Sequence, residues 1–243
     1  MNAIEIKQLT RVFKNRTAVD ALNLDIAEGE FFALLGQNGA GKTTTIKMLC
    51  CLLEPTSGDA LLLGDSIRSH PAAVKQKLNV SPQETAVAPN LSVRENLELS
   101  ARIYGSTPAQ AREKAQTAMR TFGLEERAND RARALSGGLQ RRLSIAMALI
   151  SDPKILFLDE PTLGLDVRAR RELWKGIEQL KGKITVVLTT HYLEEAEALA
   201  DRIGVMNGGR LAALGTAEQL VAQTHTASFE DAFLALTDTE AVA

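Results

Sequence analysis

The run Gly36-Gln37-Asn38-Gly39-Ala40-Gly41-Lys42-Thr43 sets a lysine and a hydroxyl directly behind a glycine-rich segment, a spacing suited to phosphate chemistry. Gly36, Gly39 and Gly41 let main-chain N–H groups converge on phosphate oxygens without Cβ atoms in the way, and a helix beginning here adds a favourable dipole. Asn38 and Ala40 lie within the same cradle. Lys42 is placed to reach β and γ phosphates, Thr43 to offer a hydroxyl ligand to Mg²⁺, and Thr44 to meet an α phosphate. A second segment, Ile155-Leu156-Phe157-Leu158-Asp159-Glu160, closes an apolar run with two carboxylates. Asp159 suits holding Mg²⁺ through water, and Glu160 suits polarising an attacking water. Alone, each segment also reads as an ordinary turn with solvated charges. Together they point to cleavage of a nucleoside triphosphate.

The elements that must position these groups follow from hydropathy period and turn residues. AIEIKQL, ALNLDI and EFFALLG read as strands, as does ALLLG after the turn PTSGD. The glycine loop falls between the strand EFFALLG and a helix, TTTIKMLCCLL, whose apolar period runs to Pro55. From Leu91 to about Asp152 the pattern turns helical. Ser92 with Glu95, and Thr107 with Pro108 and Gln110, have capping-box chemistry, and Gly105 and Gly123 end those two helices. A third helix is predicted from Gly137 and Gly138 through LQRRLSIAMALI, stopping before Pro153. The strands KILFLDEP and KITVVLTTH then flank the helix VRARRELWKGIEQLK, a βαβ unit that implies a parallel sheet. A hairpin at Asn207, Gly208 and Gly209 and a helix begun by Thr216 complete the pattern, and the acidic stretch after Ala227 reads as peripheral.

Composition narrows the function classes. The 243 residues are 45% hydrophobic and 24% charged, with a formal net charge of -2, so no global field draws the chain to nucleic acid or anionic lipid. No stretch approaches the roughly 18 to 20 apolar residues that span a bilayer, and the start MNAIEIKQLT has no leader character, so a soluble cytoplasmic chain is expected. The adjacent Cys50 and Cys51 read as packing residues on a helix, and His70, His191 and His225 are too scattered for a zinc site. The run Arg131, Arg133, Arg141 and Arg142 is diluted by Glu125, Glu126 and Asp130, and reads as a solvated or phosphate-facing surface.

Leu135-Ser136-Gly137-Gly138, about twenty residues before the ILFLDE strand, makes the pattern specific: the chain resembles the ATP-binding subunits of ABC transporters from Phe13 to the terminal SFEDAFLALT. The resemblance implies an α/β fold, a P-loop NTPase core with a mixed sheet, an N-terminal antiparallel β-subdomain and an inserted helical subdomain. It implies one domain over 1–243: an ATP-binding core at about 1–90 and 153–225, a helical subdomain at about 91–152 and a tail at 226–243. It also implies a head-to-tail dimer, expected as a homodimer, in which ATP is sandwiched between one subunit's phosphate loop and Ser136, Gly137 and Gly138 of the other. Ser136 and those N–H groups stand at a predicted helix start, which agrees with phosphate binding.

Further positions carry over by resemblance. Gln83 matches the glutamine that senses Mg²⁺ and the attacking water, and His191 the histidine that contacts the γ phosphate and orients Glu160. Asp166 matches the loop residue that meets the partner, Phe13 the aromatic that stacks on adenine, and Val19 a residue lining the same pocket. Leu139 stands where the family often has glutamine, and a bulky apolar residue there resembles the drug and polymer exporter ATPases, while NGAGKTTTIKMLCCLLEPTSGD and the terminal SFEDAFLALT resemble segments of drug, lipid or polysaccharide exporter ATPases. The expected function is therefore ATP hydrolysis, with Mg²⁺, powering transport through a separate transmembrane permease subunit from the cytoplasmic face of the membrane. That permease contact is expected around Ala86 to Arg102. A soluble ABC ATPase acting on nucleic acid or ribosomes, and a regulatory module that holds ATP without turnover, are the competing readings. Neither paired cassettes nor coiled coils support the first, and intact Lys42, Asp159, Glu160 and His191 argue against the second.

Overall fold

The structure, a computed structural model, describes residues 1–238, so the last five residues of the expected tail lie outside the described residues. Two long strands open the chain, β1 (Asn2–Phe13) and β2 (Arg16–Ala27). β3 (Phe31–Gly36) leads through the glycine loop into α1 (Lys42–Leu49), followed by β4 (Ser57–Leu62), β5 (Asp65–Ser66), α2 (Pro71–Lys77) and β6 (Leu78–Ser81). A helical block holds α3 (Val93–Ile103), α4 (Pro108–Thr121) and α5 (Gly137–Leu149). The chain then returns to the core with β7 (Ile155–Asp159), α6 (Val167–Glu178), β8 (Thr185–Thr190), α7 (Leu193–Leu199), β9 (Arg202–Asn207) and β10 (Arg210–Gly215). It ends in α8 (Ala217–Thr224) and α9 (Phe229–Thr237).

The strands form two sheets. An antiparallel sheet runs β2-β1-β4-β5, and a six-stranded sheet runs β10-β9-β3-β8-β7-β6, parallel except for the β9–β10 hairpin. β3 sits between β8 and β9, and all six of its residues are buried, which is why FFALLG is a continuous apolar run rather than an alternating one. Its side chains still alternate across the sheet. Phe32 and Leu34 pack with Ile46 and Met48 of α1 and with Ile4 and Ile6 of the antiparallel sheet. Ala33 and Leu35 pack on the other face with Ala196, Leu220 and Phe233 of the C-terminal helices.

The predicted helix starts form as capping boxes at Ser92 with Glu95, Thr107 with Gln110, and also Thr216 with Gln219. The helical block does not carry a separate core. Leu97, Leu143 and Ile145 share one apolar cluster with Leu156, Leu158, Val186 and Leu188 of the large sheet, so α5 rides directly on the strands that bear the carboxylates.

Three local expectations change. The helix after the glycine loop stops at Leu49, well short of Pro55, because Cys51 turns into the left-handed region at φ 54° and the N–H groups of Leu52 and Leu53 bond back to the Lys47 carbonyl. Cys50 is a free, buried thiol, pushed up from its ordinary pKa by burial, and Cys51 is also free. The stretch after Ala227 is not peripheral up to Thr237: α9 buries Phe229, Ala232 and Phe233 against the sheet. Arg141 and Arg142 are not a solvated surface. Arg141 is 4% exposed, and Arg142 pairs with Glu172 at 2.7 Å and donates to the Phe122 carbonyl, whereas Arg131 and Arg133 are exposed. Among the described residues no helix is long and apolar enough to cross a membrane.

Candidate active site

Parallel register sets the carboxyl ends of three strands side by side: Leu35 lies against Thr190, and Asp159 against Thr189. Such ends are where open α/β sheets gather ligands. β3 delivers the glycine loop, β7 delivers Asp159 and Glu160, and β8 delivers Thr189, Thr190 and His191. The loop closes on itself through the Ala40 N–H to the Gln37 carbonyl at 3.1 Å. Gly41 is required on two counts, since its φ is +106° and a Cβ there would come within 2.5 Å of the Ala18 carbonyl oxygen. As the helix cap it contributes no side chain, so the first N–H groups of α1 face the cleft uncapped by the protein.

The charged groups at the centre are buried and mutually bonded. Lys42 Nζ donates to the carbonyls of Gly36 at 2.7 Å and Gln37 at 3.2 Å, and pairs with Glu160 Oε1 at 3.2 Å. The other oxygen of Glu160 meets His191 Nδ1 at 2.5 Å. Glu160 sits in the left-handed region at φ 48°, an uncommon conformation for a side-chain-bearing residue. Its N–H is fixed there by the carbonyl and hydroxyl of Thr189 at 3.0 and 3.1 Å. Asp159 Oδ1 accepts from Thr43 Oγ1 at 3.1 Å and from Thr189 Oγ1 at 2.5 Å. Thr43 and Asp159 thus present hard oxygen donors next to each other, the donor type that Mg²⁺ takes.

A cleft of about 560 Å³, within the range of small-molecule sites, is lined by Phe13, Asn38, Gly39, Gly41, Lys42, Thr43, Thr44, Gln83 and Glu160. Phe13 is 41% exposed at its rim, with the Arg11 guanidinium 4.5 Å from its ring centre. Ala40 and Val19 are buried, Val19 packing beneath the loop at Gly41 instead of lining the cleft. Ser136, Gly137 and Gly138 are not brought to this cleft. They form the start of α5, where Ser136 caps the Leu139 N–H at 3.4 Å and is exposed together with Gly137. Asp166, also exposed, caps α6 by accepting from the Ala169 N–H at 2.8 Å. Gly138 and α6 are close neighbours, since a Cβ on Gly138 would sit 3.0 Å from that of Ala169.

Two further groups belong to the site. Thr189 orients both acidic residues; the polar pair ending the apolar run ITVVLTT was its signal. Arg16 lines the cleft and donates to the Gly39 carbonyl at 3.3 Å, and only its place in the turn after Phe13 hinted at it. A further buried carboxylate stands behind His191. Glu195, on α7, accepts from Trp174 Nε1 at 3.0 Å; burial raises its pKa, opposed by neighbouring Thr190, Trp174, Thr162 and Arg170.

The fold and cleft define a P-loop nucleotide-binding protein, with the phosphate loop between a central parallel strand and its helix and with acidic groups at the neighbouring strand end. The ABC transporter family pattern matches residues 19–163, more than half of the chain, and the chain belongs to that family as an ABC ATPase domain. It is 42% identical over 219 residues to the daunorubicin/doxorubicin resistance ATP-binding protein DrrA of Streptomyces peucetius, covering 90% of this chain and 66% of that protein. It is 40% identical to the Nod factor export ATP-binding protein I of Cupriavidus metallidurans, covering 90% of this chain and 72% of that protein. With the human phospholipid-transporting ATPase ABCA3 it shares 43% identity over 88% of this chain, which spans only 13% of that protein. Among solved structures, an ATP-binding subunit of an ABC transporter superposes with a TM-score of 0.86 at 29% identity, covering 97% of this chain and all of that one. A dimeric ATP-binding cassette in a post-hydrolysis state with ADP and Pi superposes at 0.80 and 27% identity, covering 88% of this chain and 98% of that one.

Proposed function

We propose that this chain hydrolyses ATP in a head-to-tail dimer and powers export through a separate membrane subunit. The single observation that carries the hydrolytic reading is the Lys42–Glu160–His191 relay beside Asp159 and Thr43. ATP is the substrate. The loop N–H groups and Lys42 bind its phosphates, Phe13 takes the adenine at the rim, and Glu160 accepts the proton of the attacking water. His191 holds Glu160 in orientation through its Nδ1 contact, and Gln83, which lines the same cleft, senses the water. Thr43 and Asp159 hold Mg²⁺, which offsets phosphate charge when bound.

In this reading the phosphates are completed by Ser136, Gly137 and Gly138 of a second copy, with Asp166 at the same seam. Ser136, Gly137 and Asp166 are exposed and therefore free to meet another chain. The export direction draws support from the resistance and export proteins to which the chain is similar. The membrane partner would place the chain peripherally on the cytoplasmic face. Contact along α3 is favoured by Leu99, Ile103 and Tyr104, which expose 47%, 73% and 53% of their surface on that helix and its end. Glu160→Gln should lower phosphate release by about a hundredfold or more while leaving ATP binding intact. A purified parent chain that releases no phosphate from ATP, or a variant that matches the parent, contradicts the hydrolytic reading.

A further inference from the structure

One turn into α5, four residues after Gly137, Arg141 is almost fully buried, and all its hydrogen bonds go to main-chain carbonyls. Nε donates to Pro161 O at 2.9 Å and Nη2 to Asp159 O at 2.9 Å, while Nη1 donates to Pro82 O and, at 3.5 Å, to Gln83 O. Among the described residues no carboxylate is bonded to it. Burial pulls the guanidinium down to about 10, against the favourable fields of Asp159 and Glu195, so it remains a cation at neutral pH.

A buried charge whose hydrogen bonds go to carbonyls is costly compared with an apolar side chain of similar volume. What the guanidinium offers for that cost is a rigid planar fork that bonds in three directions at once. The carbonyls it gathers are specific. Asp159 and Pro161 bracket Glu160, and Pro82 and Gln83 form the segment whose Gln83 also lines the cleft. Arg141 therefore joins the helix that begins at Ser136–Gly138 to the two segments of the same chain's site that carry Glu160 and Gln83. Two neighbouring contacts are weaker substitutes: Gln140 bonds back to the Leu135 carbonyl of its own helix start, and Arg142 reaches α4 and α6, away from the cleft.

We propose that Arg141 is a positioning residue that couples the two nucleotide sites of a dimer: a nucleotide of the partner chain seated on α5 shifts Glu160 and Gln83 of this chain into or out of line through the Arg141 fork. The proposal rests on the reading that α5 meets a second copy's ATP. Because a misplacement of about 1 Å in such groups can cost on the order of a hundredfold in rate, the coupling should appear as cooperativity in ATP.

The test compares the full-length parent, Arg141→Gln and Arg141→Lys for ATP binding, thermal melting and initial phosphate release over a range of ATP concentrations. The parent should give a Hill coefficient above one. Arg141→Gln should lower kcat by about tenfold or more and bring the Hill coefficient to one, with ATP affinity within about twofold of the parent. Arg141→Lys keeps the charge and part of the fork and should recover part of both; it carries the test if the glutamine variant does not fold. The proposal is overturned if a folded variant keeps the parent's kcat and sigmoidicity, if the parent itself is not cooperative, or if the losses in both variants only follow lost binding or lost melting temperature. A parent that does not hydrolyse ATP at all instead overturns the functional reading beneath it.

Discussion

Two glycine-rich helix starts in this chain look alike on paper and differ in three dimensions. At the phosphate loop, Gly41 is pressed against the Ala18 carbonyl, Lys42 is bonded to two carbonyls and Glu160, and the whole cluster is buried. At the start of α5, Gly137 has open space where a Cβ would stand, the Ser136 side chain makes only its capping bond among the described residues, and both are exposed. The first site is organised by its own chain. The second has donors and room but no chemistry of its own, which is the state expected of a surface that works on another molecule's ligand.

Substitutions at the two glycines probe that contrast with the largest expected effect. Gly41→Ala should abolish ATP binding, because the left-handed φ and the 2.5 Å approach both forbid the methyl group. Gly137→Asp should melt like the parent and bind ATP like the parent, yet lose at least about tenfold in hydrolysis as a carboxylate enters the phosphate-facing position. Equal loss of ATP binding in both variants would remove the distinction between the two starts.

A smaller effect sharpens the first site. Thr189→Val removes the hydroxyl shared by Asp159 and the Glu160 N–H, leaving a buried carboxylate short of one donor. The expected cost is about 1–3 kcal/mol of stability, together with a loss of kcat on the order of tenfold, read by melting and by phosphate release. If kcat is unchanged, the pre-set geometry of the acidic pair does not depend on β8.

The smallest effect lies behind His191. Burial holds Glu195 above the ordinary carboxylate range, so the folded chain binds that proton more tightly than the unfolded chain. The resulting stability is complete below the unfolded value and is lost as pH rises through the folded one. Glu195→Gln removes the titration and can still accept from Trp174, so the melting temperature of the variant relative to the parent should rise between pH 4 and pH 8, by up to a few degrees. A difference independent of pH would mean that Glu195 is not destabilised by ionisation.

Much of this organisation was legible in the residues. The loop, the acidic strand end, the capping boxes at Ser92 and Thr107 and the hairpin at Gly208 each depend on local chemistry, which sequence displays directly. Short elements were less visible: α2, β6 and α7 span too few residues to show a period. Glu230 and Asp231 made the region after Ala227 look like a solvated tail, although Phe229, Ala232 and Phe233 share one helix face. Arg141 was hidden by its neighbours in a charge run. Its place on a helix shows it instead, since Arg141, Ser144, Ile145 and Ala148 recur at the spacing of a single buried face. A residue that acts through main-chain carbonyls leaves no partner residue type for a sequence to display, and this is the physical reason the role of Arg141 shows only in the fold.

The central claim is that one chain holds half of each working site. It is tested most directly by measuring the mass in solution of Glu160→Gln, with and without ATP, alone and combined with Gly137→Asp. The account predicts one chain of 26.3 kDa without nucleotide, a doubled mass with ATP, and a return to the single-chain mass with ATP when Gly137→Asp is added. A single-chain mass for ATP-bound Glu160→Gln, or a doubled mass indifferent to Gly137→Asp, would contradict it.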